Sequence, residues 1–373
     1  MKNFQLKLKE ALTSRSSEGL LRELRVVENK IDFSSNDYLG LARNIELRAK
    51  VDKVYQSLSF ENKLGSTGSR LISGNSRYFE QLEFFLAKTH LAESALLFNT
   101  GYMANLAVFS ALPQKGDTVL YDELVHACIK DGIRLSLAER FPFLHNDLHS
   151  LENKMKKAKG QIFVAVESVY SMDGDFAPLS ELVALCEKYD AILIVDEAHS
   201  TGLFGENGSG LVCALGLEKR IPIRIHTFSK AMGCHGAVVV GLQELRPYLI
   251  NFARPFIYTT AMSLHSLVSI NESYIFLAQN SDFQNIVVEN IKLFNSLIPD
   301  SDIRIQSDSA IQAVLFSGNE NARNKATFLQ DKGFDVRPIL SPTVKKGSER
   351  VRICLHAYNS KTEIRELIKA VLE

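Results

Sequence analysis

The sequence has no tryptophan, and no uninterrupted apolar run in it approaches 18 residues. A bilayer-spanning helix needs about 20 consecutive, mostly apolar residues, so no transmembrane helix and no membrane partner are expected. The opening MetLysAsnPheGlnLeuLysLeuLysGlu alternates charge with apolar side chains and lacks the apolar core of a secretory leader. Cysteine is sparse and odd in number: Cys128, Cys186, Cys213, Cys234 and Cys354, with no C-x-x-C pair among them. That spread excludes a disulfide framework and a thiolate metal site, and predicts free thiols in a reducing, cytoplasmic setting. Neither sign of charge prevails, with 43 Lys plus Arg against 43 Asp plus Glu. Without a basic block there is no footprint for a nucleic-acid backbone. No G-x-G-x-x-G follows the first predicted strand, no G-x-x-x-x-G-K-[ST] occurs, and GlySerThrGly at 65–68 has no strand before it. Dinucleotide and nucleoside-triphosphate readings therefore lose ground.

What is present is ordinary globular composition over 373 residues, 46% hydrophobic and 23% charged. A chain of this size buries about three quarters of its unfolded surface and divides into two or three structural units. Short apolar, β-branched segments stand at 95–98, 118–121, 162–166, 192–195, 223–227 and 237–240, with helical stretches between them. One of these stretches, 178–189, opens on proline and carries apolar residues at helical spacing. The alternation predicts an α/β fold with a mostly parallel sheet flanked by helices. The first thirty or so residues read as an amphipathic helix, with an AsnAspTyrLeuGly turn after it at 36–40. Beyond about residue 255, a long helical region (264–297), short strands near 313–316 and 351–355 and a last helix suggest a smaller α+β domain. The expected division is an N-terminal segment 1–45, a large domain 46–255 and a C-terminal domain 256–373.

In such sheets ligands bind beyond the carboxyl ends of the strands. Asp196 closes the strand AlaIleLeuIleValAsp, and His199 follows three residues on. Taken alone, an Asp at a strand–helix junction is as readily a helix cap. Lys230 follows the next apolar strand, in HisThrPheSerLysAlaMetGly; a lone lysine is most often a surface charge. The pair carries more weight than either residue. A carboxylate and a lysine, each closing a neighbouring strand, are what pyridoxal 5'-phosphate (PLP) requires: the amine forms an imine, and the carboxylate keeps the pyridinium protonated. AsnThrGlyTyrMetAlaAsn (99–105) opens a helix whose free amides suit a phosphate. His126 lies past the strand ending at Tyr121, where its ring can stack on a flat cofactor, although most such histidines are structural. Ser171 ends another strand, and Thr227 precedes Lys230 by three. Convergence of these strand ends is a stronger signal than any one of them.

PheSerSerAsnAspTyrLeuGlyLeu (33–41), GlySerArgLeuIleSerGlyAsn (68–75), SerValTyrSerMetAspGlyAsp (168–175), ValAspGluAlaHisSerThrGly (195–202), ThrPheSerLysAlaMetGly (227–233), ProThrVal (342–344) and GluArgValArgIle (349–353) carry a further signal. With them the chain resembles, almost end to end, the α-oxoamine synthases, a family of PLP-dependent transferases of fold type I. The resemblance implies that Lys230 carries PLP, Asp196 pairs with the pyridine nitrogen, His199 bonds the phenolic oxygen and His126 stacks on the ring. It implies phosphate contacts from Gly101, Tyr102 and Thr227, and places Ser171 near the ring oxygen. Arg352 would bind the amino-acid carboxylate, and Arg22 and Thr343 would contact substrate. A homodimer is implied, Thr259 and Thr260 reaching the partner's phosphate. The implied reaction condenses an amino acid with an acyl thioester, and HisAsnAsp (145–147) points to L-alanine and a pimeloyl thioester. Two departures stand out: a short segment between Arg22 and Ile31, and Leu340 where some members have an arginine. The sister pairings (glycine with acetyl- or succinyl-CoA, serine with a long acyl thioester) share every cofactor residue. An aminotransferase also remains open, whereas a degenerate binding module would normally have lost Lys230 or Asp196.

Overall fold

The computed structural model describes residues 1–24, 26, 28–58, 64–299 and 303–373. Seven strands build its main sheet: β1 (Ser94–Phe98), β2 (Thr118–Asp122), β3 (Glu139–Phe143), β4 (Ile162–Glu167), β5 (Ile192–Asp196), β6 (Ile223–Thr227) and β7 (Ala237–Gly241). They lie in the order β1-β7-β6-β5-β4-β2-β3. β7 is antiparallel to both its neighbours, and the remaining strands share one direction. Every residue of β1, β4, β6 and β7 is buried. That is why β1, β4 and β7 read as near-continuous apolar runs, whereas β6 carries the buried Arg224 and His226: helices cover both faces, so neither side of the pleat meets water. The helices Gly101–Ala111, Ala127–Leu135 and Leu179–Lys188 supply one core, which includes Val108, Ile129 and Leu182. The other core joins Tyr38 and Leu39, Met232, the helix Leu264–Gln279 and the smaller sheet.

That smaller sheet has four antiparallel strands in the order Arg337–Ile339, Arg350–Cys354, Ile311–Leu315, Arg304–Ile305. Ile31–Asp32 pairs with Phe334–Asp335, tying the N-terminal segment to this part of the fold. The tie continues through backbone bonds from Cys354 N–H to the Phe33 carbonyl and from Ala357 N–H to the Tyr38 carbonyl, both 2.8 Å. Gly40 turns the chain here with φ 71°; a Cβ on it would stand 2.8 Å from the Tyr358 ring. All five cysteines are free, and Cys128, Cys186 and Cys354 are buried. Among the described residues no helix is long and apolar enough to cross a membrane.

Three expectations need correction. The N-terminal helix spans only Lys2–Ser17, and its Phe4, Leu6, Leu8 and Leu12 are exposed. Gly19, at φ 66°, stops it two residues after its end. The region 264–297 is two helices, Leu264–Gln279 and Asp282–Leu297, broken at Asn280 and Ser281. β3 is an unpredicted edge strand, GluArgPheProPhe, exposed along four of its five residues. A proline is tolerated at an edge, and Glu139, Arg140 and Pro142 leave only Phe141 and Phe143 as its apolar signal.

The HisAsnAsp motif acts as a clamp at that edge. His145 bonds Asp122, at the end of β2, through Nδ1 at 3.0 Å, and Asp175, in the loop after β4, through Nε2 at 2.7 Å. Asn146 adds bonds to the same two carboxylates at 2.9 and 2.8 Å, and Asp147 caps the next helix. Burial opposes charge on His145, but the two carboxylates win and hold its pKa up at about 9. The folded state therefore binds this proton more tightly than the unfolded chain. The resulting stability is complete below the unfolded pKa of about 6.5, shrinks as pH rises and is gone above the folded value. His145→Gln should accordingly lower the melting temperature most below about pH 6.5, with the charge-dependent part of the gap closing by pH 9. A gap that stays constant over this range would refute the charged clamp.

Candidate active site

Because β1, β2, β4, β5 and β6 point the same way, their carboxyl ends bring Gly101, His126, Ser171, Asp196 with His199, and Lys230 to one edge of the sheet. Lys230 Nζ lies 2.7 Å from His199 Nε2. On its far side His199 Nδ1 meets Tyr38 Oη at 2.7 Å, and Tyr38 bonds Asn36 Oδ1 at 3.1 Å. The same Asn36 oxygen accepts Arg352 Nη2 at 3.0 Å. One chain of bonds thus runs from the lysine amine to the arginine. Its polarity is coupled to the lysine proton. With Tyr38 donating to Asn36, His199 carries its proton on Nδ1 and presents Nε2 as an acceptor to Lys230.

Burial lowers the Lys230 pKa to about 8, against the opposing pull of the Asp196 and Glu167 carboxylates. Burial, with the Lys230 and Arg352 charges behind it, holds His199 far below its usual range, so the imidazole is neutral. Asp196 is buried, taking Asn105 Nδ2 on one oxygen at 2.8 Å and the Ala198 amide on the other at 2.9 Å. Directly across the ladder from Asp196 stands Glu167, raised to about 8 by burial and by the Asp196 charge. Glu167 accepts the His126 amide at 2.5 Å and so fixes the loop that carries that ring.

His126 caps the helix Ala127–Leu135, its Nδ1 accepting the Cys128 amide at 3.2 Å. That leaves the ring exposed, with its remaining proton on Nε2. Thr100 caps the helix Gly101–Ala111 by accepting from Met103, so the amides of Gly101 and Tyr102 lie in the unbonded first turn. A Cβ on Gly101 would stand 3.1 Å from Thr227 Oγ1. The glycine thus lets the helix end and the Thr227 hydroxyl approach closely enough to share a small anion. Asn99 Nδ2 bonds the Thr260 carbonyl at 2.9 Å, setting Thr259 and Thr260 beside this cradle.

Arg352 lies across the site from a different sheet. Its Nε donates to the Ser171 carbonyl at 2.7 Å and its Nη1 to Cys354 Sγ at 3.0 Å. Arg22 and Thr343 do not join this network among the described contacts; they line a cleft between the N-terminal segment and the smaller sheet. Sequence reasoning misses Glu167, Tyr38, Asn36 and Asn105. Glu167 obeys the rule that marks Asp196, an acid closing an apolar strand, and is recoverable on that ground. Tyr38 and Asn36 reach the site only through tertiary packing.

The family model for aminotransferase class I and II matches residues 28–371. The chain belongs to this family. The 8-amino-7-oxononanoate synthase of Emericella nidulans is 40% identical, over 98% of this chain and 94% of its own. The crystal structure of 8-amino-7-oxononanoate synthase from Francisella tularensis matches with a TM-score of 0.79 at 30% identity, covering 92% of this chain and 96% of that one. Serine palmitoyltransferase from S. paucimobilis, solved with PLP–myriocin bound, matches at 0.88 and 27% identity, covering 98% and 96%.

As in the rest of the aminotransferase class I and II family, the fold is that of the type I PLP-dependent transferases. The residues present fit PLP. A buried carboxylate, a lysine bonded to a neutral histidine, a helix end that a Cβ would crowd against Thr227, and an orphaned buried oxygen, Asn105 Oδ1, stand together at the carboxyl edge of the sheet. Because only the neutral amine attacks a carbonyl, a small aldehyde with borohydride should label Lys230 of the cofactor-free protein half-maximally near pH 8. Peptide mapping reads the site; a midpoint near 10, where a solvated lysine titrates, would show that burial does not tune the amine.

Proposed function

We propose that this chain condenses L-alanine with a pimeloyl thioester to give 8-amino-7-oxononanoate, carbon dioxide and the free thiol carrier, the reaction of biotin biosynthesis. The observation that carries the reading is the end-to-end similarity to 8-amino-7-oxononanoate synthases, with Lys230, Asp196 and His199 together at one sheet edge. PLP, carried on Lys230, supplies an electron sink for negative charge at the amino-acid Cα.

The protein's own groups divide the remaining work. Asp196 would hold a proton on the cofactor's ring nitrogen, and Asn105 and the Ala198 amide keep that carboxylate in place. His199 would hydrogen-bond the ring oxygen, His126 would stack on the ring, and Gly101, Tyr102 and Thr227 would hold the phosphate, with Ser171 beside the ring oxygen. Arg352 takes the alanine carboxylate, its plane fixed in advance by Ser171 and Asn36. Lys230, its pKa near 8, accepts the Cα proton and later returns it. With Nδ1 taken by the Cys128 amide, the Nε2 proton of His126 is the one that would polarise the thioester carbonyl. The close structural match to a serine palmitoyltransferase supports a second reading, a sister condensation with serine and a longer acyl chain.

The proposed assembly is a homodimer, with Thr259 and Thr260 reaching the partner's phosphate; the exposed apolar side chains of Lys2–Ser17 suit burial in such an interface. The proposed units are 1–45, 46–255 and 256–373, and the proposed location is the cytoplasm.

Lys230→Ala should remove the visible PLP band and depress turnover roughly a thousandfold or more; turnover that survives refutes the lysine's role. Asp196→Asn should still bind PLP but slow exchange of the alanine Cα proton into deuterated water by on the order of 10²–10⁴-fold. Exchange at the wild-type rate would remove Asp196 from the mechanism. Titration with alanine, glycine and serine, each with pimeloyl-CoA, separates the two readings: alanine should give the spectral change and the product, and a response confined to serine would favour the sister reaction.

A further inference from the structure

Behind the turn 33–41, away from Lys230, a second group of charges centres on Asp32, the last residue of the strand Ile31–Asp32. Asp32 Oδ1 accepts the Ser34 and Ser35 amides, both at 3.0 Å. Its Oδ2 accepts Arg43 Nη2 at 2.8 Å and the Tyr358 hydroxyl at 2.9 Å. Burial opposes the charge, but the Ser35 and Ser34 amides outweigh it and hold the Asp32 carboxyl well below the usual carboxylate range. Both oxygens therefore act as ionised acceptors, and every donor they take belongs to the turn or packs against it.

The neighbours of Asp32 close the turn around it. Arg43 reaches back to Asp32 and, through Nε, to Asp37 at 3.3 Å, while its guanidinium lies 3.9 Å from the centre of the Tyr358 ring. Ser35 Oγ lies 3.2 Å from Tyr358 Oη, and His356 Nε2 lies 3.0 Å from the Ser35 carbonyl. Asn36 is the next residue. With the amides of Ser34 and Ser35 both tied to one carboxylate oxygen, the backbone that leads into Asn36 has a single course, and that course decides where Asn36 Oδ1 stands. This oxygen is the acceptor that Tyr38 Oη and Arg352 Nη2 share. Asp32 thus bears on Arg352 without touching it.

We propose that Asp32 is a positioning residue for the amino-acid carboxylate, setting the Asn36 oxygen that steadies Arg352. The inference rests on the function proposed above, which gives Arg352 that carboxylate, and adds to it a residue that touches no substrate. A guanidinium held in one plane by fixed acceptors loses less freedom when it takes a carboxylate, so affinity falls when an acceptor is free to move. Removing Asp32 frees the turn, and the loss is felt at the arginine.

The test is a double-mutant cycle on alanine affinity, read from the visible absorbance of PLP-loaded wild-type protein, Asp32→Ala, Arg352→Lys and the double variant. Asp32→Ala should weaken alanine roughly tenfold in the wild-type background and less than about twofold beside Arg352→Lys, since an effect carried through the arginine disappears with it. Wild-type affinity in Asp32→Ala overturns the proposal. So does a further tenfold loss in the double variant, which would place the effect elsewhere in the site. PLP content per chain reports folding. Should Asp32→Ala take up none, Asp32→Asn decides: it keeps an acceptor for Ser34 and Ser35, gives up the ion pair with Arg43, and should weaken alanine about threefold. Wild-type affinity in that variant then overturns the proposal. If the wild-type band answers serine in place of alanine, the substrate proposed above falls, and the same cycle run with serine still decides on Asp32. Wild-type protein with no PLP band overturns that function and this inference together.

Discussion

Everything at the candidate site follows from placing a lysine amine at the end of a parallel sheet with two carboxylates nearby. Desolvation pushes the amine toward neutrality while Asp196 and Glu167 draw it back toward charge, and desolvation prevails. The contest needs a rigid setting, because displacing any partner by an ångström or so would tip it. The sheet provides that setting. β4, β5 and β6 are neighbours with fixed register, so Glu167 and Asp196 face each other across the ladder and Lys230 follows on the next strand. The covering helices that make these strands apolar also exclude the water that would screen the charges.

The smaller sheet is as necessary as the large one. Arg352 comes from it, and so do the backbone bonds that hold the 33–41 turn, and through that turn Tyr38 and Asn36. The clamp at His145 holds the loop after β4 from the opposite side, and Arg350 grips Asp173 in the same loop. Ser171, whose carbonyl orients Arg352, is thus fixed from both directions.

These arrangements differ in how far the sequence reveals them. The run at 237–240 is matched by the strand Ala237–Gly241, because a strand buried on both faces is apolar throughout, and 223–227 matches its strand residue for residue although the buried Arg224 and His226 interrupt it. β3 is hidden because its side chains face water, and the pairs at Ile31–Asp32 and Phe334–Asp335 are too short to show a period. Asp196 and Lys230 are legible as polar residues ending apolar runs. Glu167 ends IlePheValAlaValGlu in the same way, and only its partnership with Asp196 is hidden, since register is a property of the folded sheet. Tyr38 is less accessible still: 161 positions separate it from His199, and no local pattern encodes that contact.

The bond chain from Lys230 to Arg352 has a directional consequence. Asn36 has a single side-chain carbonyl, and it takes both the Tyr38 hydroxyl and the Arg352 guanidinium. When an anion joins Arg352, the guanidinium gains a second acceptor and its share of that oxygen falls, which strengthens the donation from Tyr38 already in place. The histidine keeps its Nδ1–H on the tyrosine and its Nε2 lone pair toward the lysine. Occupancy at one end of the site thereby firms an order of hydrogens that runs along the line to the other. A ligand too short to reach the arginine would leave the oxygen shared.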